Sequence, residues 1–290
     1  MVAQIKLIVT GDMEKLALHE SLRRVFPTER DGDDVIWAQP RKLSCSTSHR
    51  LQEGREPSVP MRELAKAMLA EVGIGKKGQP ADLVVVIDDV ELGNLDREDV
   101  IARHFGAAIE SLLTAYSTDP QRRYRGLLRE RCSFHLLKPM VEAYLFADAN
   151  ALRISGVPVG ELPRLVHPTD VEEFESNDPA WLLTCQAENA KRLTTSPWWR
   201  HERHPKRYLE HLAQRGQVLY DETQQGRNAL AGLGWQQVPK CNSDVRLVRS
   251  LFEDIADWFG VPNPLSSGAT HPQFYPSRSM KRKELLLRNL

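Results

Sequence analysis

Six carboxylates stand where an α/β fold would bring them together. Asp12 and Glu14 follow the apolar run IKLIV across a glycine, Gly11. Asp88, Asp89 and Glu91 follow the run LVVVI, Leu83 to Ile87, and Glu142 follows CSFHLL, residues 132–137. Neighbouring parallel strands open their C-terminal ends on one edge of the sheet, so acidic groups far apart in sequence converge there. Hard divalent cations such as Mg²⁺ or Mn²⁺ take carboxylate oxygens, retained waters and substrate phosphate. Two such ions about 4 Å apart can clamp a phosphodiester during in-line attack. A single Asp or Glu after a strand more often caps a helix or meets solvent. The cluster IDDVE carries more weight, because an apolar strand feeds it directly. Asp89 and Glu91 are two apart, so both side chains point the same way if the strand continues.

The elements that must position these groups are legible in outline. Residues 4–9 suit a buried strand, and 12–25 read as a helix with Asp12 and Glu14 in its first turn, where the helix dipole favours them. Residues 28–60 are polar and read as a loop-rich insertion with one strand at VIWAQ. Residues 61–72 read as a helix. Leu83 to Ile87 reads as a central parallel strand buried on both faces. A helix over 96–116, a strand over 132–137 and a helix entered through 139–148 follow. This order argues for an α/β domain over 1–155, a parallel sheet flanked by helices. Residues 156–260 read as a smaller, mainly helical, basic and aromatic region, with its best helices at 206–214 and 243–259. Residues 261–290 begin as a Pro/Ser/Gly linker and end in a basic tail, MKRKELLLRNL, that reads as an amphipathic helix.

The 290 residues are 41% hydrophobic, ordinary for a folded chain, and carry 39 basic and 39 acidic side chains. Bulk charge therefore gives no reason to expect nucleic acid, and such binding needs a local patch. The four cysteines form no C-x-x-C pair, which argues against a zinc ribbon or a thioredoxin-like site. No apolar run approaches the roughly 20 residues that cross a bilayer, and the N-terminus lacks the shape of a signal peptide. The expectation is a cytoplasmic protein with no membrane partner. No Walker A loop is present, so any ATP-driven step needs another chain. No G-x-S-x-G elbow is present either.

One local patch exists. Residues 191–215, KRLTTSPWWRHERHPKRYLEHLAQR, interleave basic and aromatic side chains. Lys and Arg neutralise phosphates, and aromatic rings stack on unpaired bases. Arg192, Trp198, Trp199, Arg200 and Arg203 are the candidate nucleic-acid contacts, with Lys206 and Arg207 nearest the acidic edge. Packing of a helical region by the two Trp, with the charges solvated around it, explains the same pattern. His201 and His204 have i, i+3 spacing, but Pro205 follows directly and disfavours a regular helix there.

The ordered motifs IVTGDMEKLAL, VVVIDDVE, PMVEAYLFAD, HPKRYLEHL and YDETQQGRNALAGLGW resemble a bacterial family of TOPRIM-like proteins, spanning most of residues 5–260. That family is similar to the nuclease half of OLD-type (overcoming lysogenization defect) enzymes. Its members often stand beside an ABC/SMC-type ATPase gene, with a suspected role in defence against foreign DNA. The resemblance implies a TOPRIM-like sheet, an Mg or Mn cofactor, and DNA or RNA as substrate. It also implies an ATPase partner, and self-association is a further option. The family's first motif reads V-E-G-x-T-E; Val9, Gly11 and Glu14 match, while Thr10 and Met13 depart. Its D-x-D pair falls on Asp89 and Glu91, or begins at Asp88 if the register slips. Its H-E-F-E-A-W-L motif keeps Glu142 but has Pro139 and Met140 for the His and first Glu. Pro205, Lys206 and Arg207 match the P-S-K-R-like motif. The resemblance therefore implies metal ligation by Asp88, Asp89, Glu91 and Glu142. Glu14, with Asp12 as substitute, would act as base or ligand, and Lys206 and Arg207 would hold phosphate. Thr10 cannot replace the usual glutamate as a proton carrier. The alternative expectation is thus a non-catalytic TOPRIM-like sensor or adaptor.

Overall fold

A computed structural model describes residues 2–75, 79–191, 201–275 and 285–290. The chain opens with strand β1 (Val2–Val9) and helix α1 (Asp12–Arg23), then a short strand β2 (Glu29–Arg30), β3 (Asp33–Lys42) and α2 (Val59–Glu71). Next come β4 (Leu83–Asp89), α3 (Glu98–Leu113), α4 (Thr118–Arg131) and β5 (Cys132–Leu137). The later part is helical: α5 (Glu142–Leu145), α6 (Ala149–Ile154), α7 (Pro179–Lys191), α8 (Pro205–Arg215), α9 (Arg227–Gly232) and α10 (Arg246–Phe259). Among the described residues, no helix is long and apolar enough to cross a membrane.

The sheet order is β2-β3-β1-β4-β5, parallel except for the β2 edge. The fold is therefore α/β. Side-chain alternation assigns each strand residue to a face. Ile5, Leu7 and Val9 of β1, with Leu83, Val85 and Ile87 of β4, join a core built from α1 and the later helices. Ile8, Val84 and Val86 point the other way, into a second core under α2 and α3. Both faces are dry, which is why β4 is a continuous apolar run.

Several elements differ from the sequence reading. The strand expected at VIWAQ is present but longer: β3 is a full member of the sheet, paired with β1. Its alternation is weak because an apolar side chain, Ile36 at 51% exposure, stands on its exposed face between the buried Val35 and Trp37. The second helix between β4 and β5, α4, is strongly polar and buries only Leu128, so its apolar periodicity is faint. The described end of the tail, residues 285–290, is not helical. It lies along β5, where Asn289 accepts a hydrogen bond from the Phe134 amide (3.2 Å) and donates to the Phe134 carbonyl (2.8 Å). Arg288 donates its amide to the Cys132 carbonyl (2.8 Å), so the tail covers an otherwise open strand edge.

Candidate active site

After β1 the chain moves outward to β3, then returns past β1 to lay down β4 on its other side. Strand order reverses between β1 and β4. At such a reversal the loops leave in opposite directions and open a crevice beyond the carboxyl ends of the strands. A cleft of about 300 Å³ occupies this place. Its walls include Glu14, Asp89, Glu91, Glu142, Glu222 and Lys206, together with Asp12, Lys42, His204 and Arg207.

Alternation along β4 separates the two aspartates. Asp88 follows Val84 and Val86 to the α2 face. There Thr10 Oγ1 donates to Asp88 Oδ1 (2.7 Å), while the Ser46 amide (3.2 Å) and hydroxyl donate to Oδ2. Asp88 does not line the cleft. It ties β1, β4 and the loop after β3 together, and its expected metal-ligand role meets oxygens already engaged. Burial pushes its carboxyl up, against the hydrogen bonds from Ser46 and Thr10 that favour the anion. Thr10 therefore serves this structural bond.

Asp89 follows Ile87 to the other face and into the cleft. Its Oδ1 is buried with no hydrogen-bond partner among the described residues. Burial, then the charges of Glu14, Glu91 and Glu142, hold this carboxyl well above its ordinary value. Glu91 reaches the same cleft by another route. The strand stops at Asp89, and Glu91 has φ +62° and ψ 154°, a costly backbone state for a residue with a side chain. The β5 turn holds it there: the amides of Val90 and Glu91 donate to the carbonyls of Leu137 and Pro139, each 2.8 Å. The Glu91 carboxyl is pushed up to about 7 by burial and by Glu142.

Glu14 is 2% exposed and folds back over Gly11. A Cβ on residue 11 would lie 2.1 Å from Glu14 Oε2, so this carboxylate position requires glycine. Burial and then Glu142 raise the Glu14 carboxyl to about 8. Glu142 begins α5 and is raised to about 6, by burial against the pull of Lys206. Burial lowers Lys206, but Glu142 and Glu222 outweigh it and the net shift is upward, so the ammonium persists.

The remaining charged residues are engaged in pairs. Asp12 pairs with Lys42, Lys206 with Glu222, and Arg207 with Glu210 at 2.8 Å. Arg203 lies away from the cleft, paired with Glu175 at 2.9 Å. Arg192, Trp198, Trp199 and Arg200 lie outside the described residues. His201 and His204 share a turn ahead of α8, but His201 Nδ1 accepts from the Arg203 amide (3.1 Å). Burial, then Arg207 and Lys206, pull His204 down to about 3, so it is neutral near pH 7. Among the described residues no group of three or more His, Cys, Asp or Glu is arranged to hold one metal ion.

Sequence reasoning missed Glu222, Lys42 and Cys45 in these walls. Glu222 belongs to a wide helical turn, Glu222–Gly226, opened by Asp221, whose carboxylate accepts from the Thr223 and Gln224 amides. An Asx turn ahead of a glycine was a usable signal for a turn. Nothing in sequence ties it to β1.

No family model, curated protein or solved structure matches this chain. The reading of the site rests on its geometry.

Proposed function

We propose that this chain is a TOPRIM-like protein that uses Mg²⁺ or Mn²⁺ to cut phosphodiester bonds, as a defence effector working with an ABC/SMC-type ATPase subunit. One observation carries the reading: the partnerless Oδ1 of Asp89, buried in a polar cleft whose inner carboxylates raise one another's proton affinity. Such a group fits a cation, which would satisfy the orphan oxygen and relieve the repulsion. Asp89 and Glu91 would hold it, with Glu142 beside them. No three-ligand cluster stands ready among the described residues. That suits an ion held by one or two carboxylates and completed by water and substrate phosphate. When bound, such an ion stabilises charge on phosphoryl oxygens and lowers the pKa of a bound water.

The chain's own groups supply the rest. Glu14, with its carboxyl near 8, exchanges a proton close to neutral pH and takes the role that Thr10 cannot. Lys206 keeps its charge at the wall of the cleft and would draw a non-bridging phosphate oxygen.

A second reading has its own observation. Thr10 spends its hydroxyl on Asp88, and Met140 and Val141 line the cleft where the resembled motif has a Glu and a Phe. These features favour a non-catalytic sensor or adaptor. Calorimetry with Mn²⁺ and Mg²⁺, on the wild type and on the Asp89→Asn/Glu91→Gln variant, separates the two. Binding that the variant loses supports the enzyme reading. A folded wild type that binds neither ion at millimolar concentration sinks it and leaves the adaptor.

A further inference from the structure

A second cavity, of about 420 Å³, adjoins the acidic cleft and shares Glu91 and His204 with it. Its other wall is the loop bearing Ser48, His49 and Arg50. The side chains of these three residues are exposed, yet their main chain is tied down. Asn94 is fully buried and spends its amide on this loop. Its Nδ2 donates to the carbonyls of Thr47 (2.7 Å) and His49 (3.0 Å), and its Oδ1 accepts from the Leu51 amide (2.8 Å). Thr47 donates its hydroxyl to the Asp89 carbonyl, and Ser46 is bound to Asp88. One side of the loop is thus welded to the end of β4, while the other presents a guanidinium and an imidazole to the cavity.

The charges around the two cavities differ in a way that matters. Lys42, Lys206, Arg207 and Arg203 each have a carboxylate partner within the chain. Arg50 lines the second cavity and, among the described residues, has no ion pair. A cation whose chain neighbours are held by Asn94, beside a cleft of carboxylates and without a counter-ion among the described residues, is arranged to receive an anion from outside. Glu91, shared by the two cavities, disfavours an anion whose charge falls on their boundary. It suits one whose phosphates alternate with uncharged parts along a chain. Two adjoining cavities of about 300 and 420 Å³ offer successive stations for the units of one strand.

We infer that the second cavity is the track of an unpaired polynucleotide strand leaving the acidic cleft, with Arg50 holding the phosphate next to the scissile one and His49 stacking on its base. This deepens the nuclease reading and rests on it. A phosphate contact adds counter-ion release, and a base on an aromatic ring adds sequence-tolerant affinity.

The test uses the full chain and fluorescein-labelled 20-nucleotide strands of DNA and of RNA, with duplex DNA as the control. Anisotropy is read in Ca²⁺ at several salt concentrations, for wild type, Arg50→Gln and Arg50→Lys. Single strands are expected to bind more tightly than duplex. Arg50→Gln weakens that binding about five- to tenfold and lowers the salt slope by about 0.7, the loss of one phosphate contact, while Arg50→Lys keeps the slope. The tighter of the two strands identifies DNA or RNA. Unchanged affinity and slope in Arg50→Gln overturn the track, as does preference for duplex or no strand binding by wild type. Mn²⁺ calorimetry on the same samples tells the failures apart. Retained Mn²⁺ binding with no Arg50 effect removes only the track, and lost Mn²⁺ binding removes the nuclease reading beneath it.

Discussion

Glu14 and Gly11 form one unit at the residue scale. The glycine backbone, φ −104° and ψ 159°, is open to any residue, so its value lies in the missing Cβ. Gly11→Ala is expected to fold and to displace the Glu14 carboxylate from the cleft. Moving a flexible side chain off its preferred rotamer costs on the order of 1 kcal/mol. A urea midpoint close to wild type, together with about tenfold weaker Mn²⁺ binding by calorimetry, is the expected pair of results. A fall of that size is about 1.4 kcal/mol. Unchanged Mn²⁺ binding would confine Glu14 to proton exchange, with no hold on the ion. Part of this site was legible in sequence. Glu14, Asp89, Glu91 and Glu142 do share one cleft, because each follows a strand end. The distinction between Asp88 and Asp89 was not drawn, because LVVVI is apolar on both faces and marks neither one as the cleft side. Glu91 arrives through a left-handed backbone and contacts from the β5 turn, which no local pattern encodes.

At the scale of elements, β5, α10 and the tail are joined by one buried carboxylate. Asp254 accepts from Arg288 Nε at 2.9 Å and lies 3.2 Å from His135 Nε2, and Arg288 also reaches Asp257 at 3.2 Å. Burial acts to raise the Asp254 carboxyl, but Arg288 and the hydrogen bond from His135 prevail and hold it far below the usual range. Its pKa is depressed on folding, so its contribution is present above about pH 4 and is lost as pH falls toward the folded value. Arg288→Ala leaves that charge buried and unpaired, which costs roughly 3–5 kcal/mol near pH 7. Between pH 7 and pH 3 the orphaned carboxylate of the variant takes up a proton, while the wild type begins to lose the contribution of its depressed group. The gap between their urea midpoints is therefore expected to shrink from pH 7 to pH 3. A gap independent of pH would show that packing of the tail, and not the ion pair, holds it. Sequence reading located β4, β5 and α8 well because their apolar patterns are strong. It missed the tail's path, since Asn289 and the Arg288 amide meeting a strand edge leave no periodic trace.

The two halves of the whole molecule are less separable than their composition suggests. Residues of β1 and α1 share one core with Tyr208, Leu230, Trp235 and Phe252 from the later helices. Ser21 of α1 donates to the Leu230 carbonyl (2.6 Å) and accepts from Trp235 Nε1 (2.8 Å). The inner wall of the cleft also depends on both parts, because Lys206 and Glu222 come from beyond residue 200. A fragment of residues 1–155 would keep α1 but lose the later helices from one face of its sheet, and expose the apolar surface they cover. It is expected to lack near-ultraviolet circular dichroism and to bind ANS, whereas the full chain unfolds in a single transition. A fragment with fixed tertiary signals would establish an independent N-terminal domain. The shift from apolar strands to Trp, Pro and Arg near residue 155 marks a change of secondary structure within one shared core. Composition cannot register that core, because its contacts join residues some 200 positions apart.

Asn94 grips the loop after β3 by main-chain atoms alone. The shape of that loop is therefore indifferent to what residues 48–50 are. Their side chains can be exchanged as a set without disturbing the strand ends, much as tips are changed on a fixed handle. The fold in this way separates the groups that perform chemistry, which are locked into the core, from a neighbouring lip whose preferences can drift. Variants at those three positions offer a route to altered selectivity at little cost in stability.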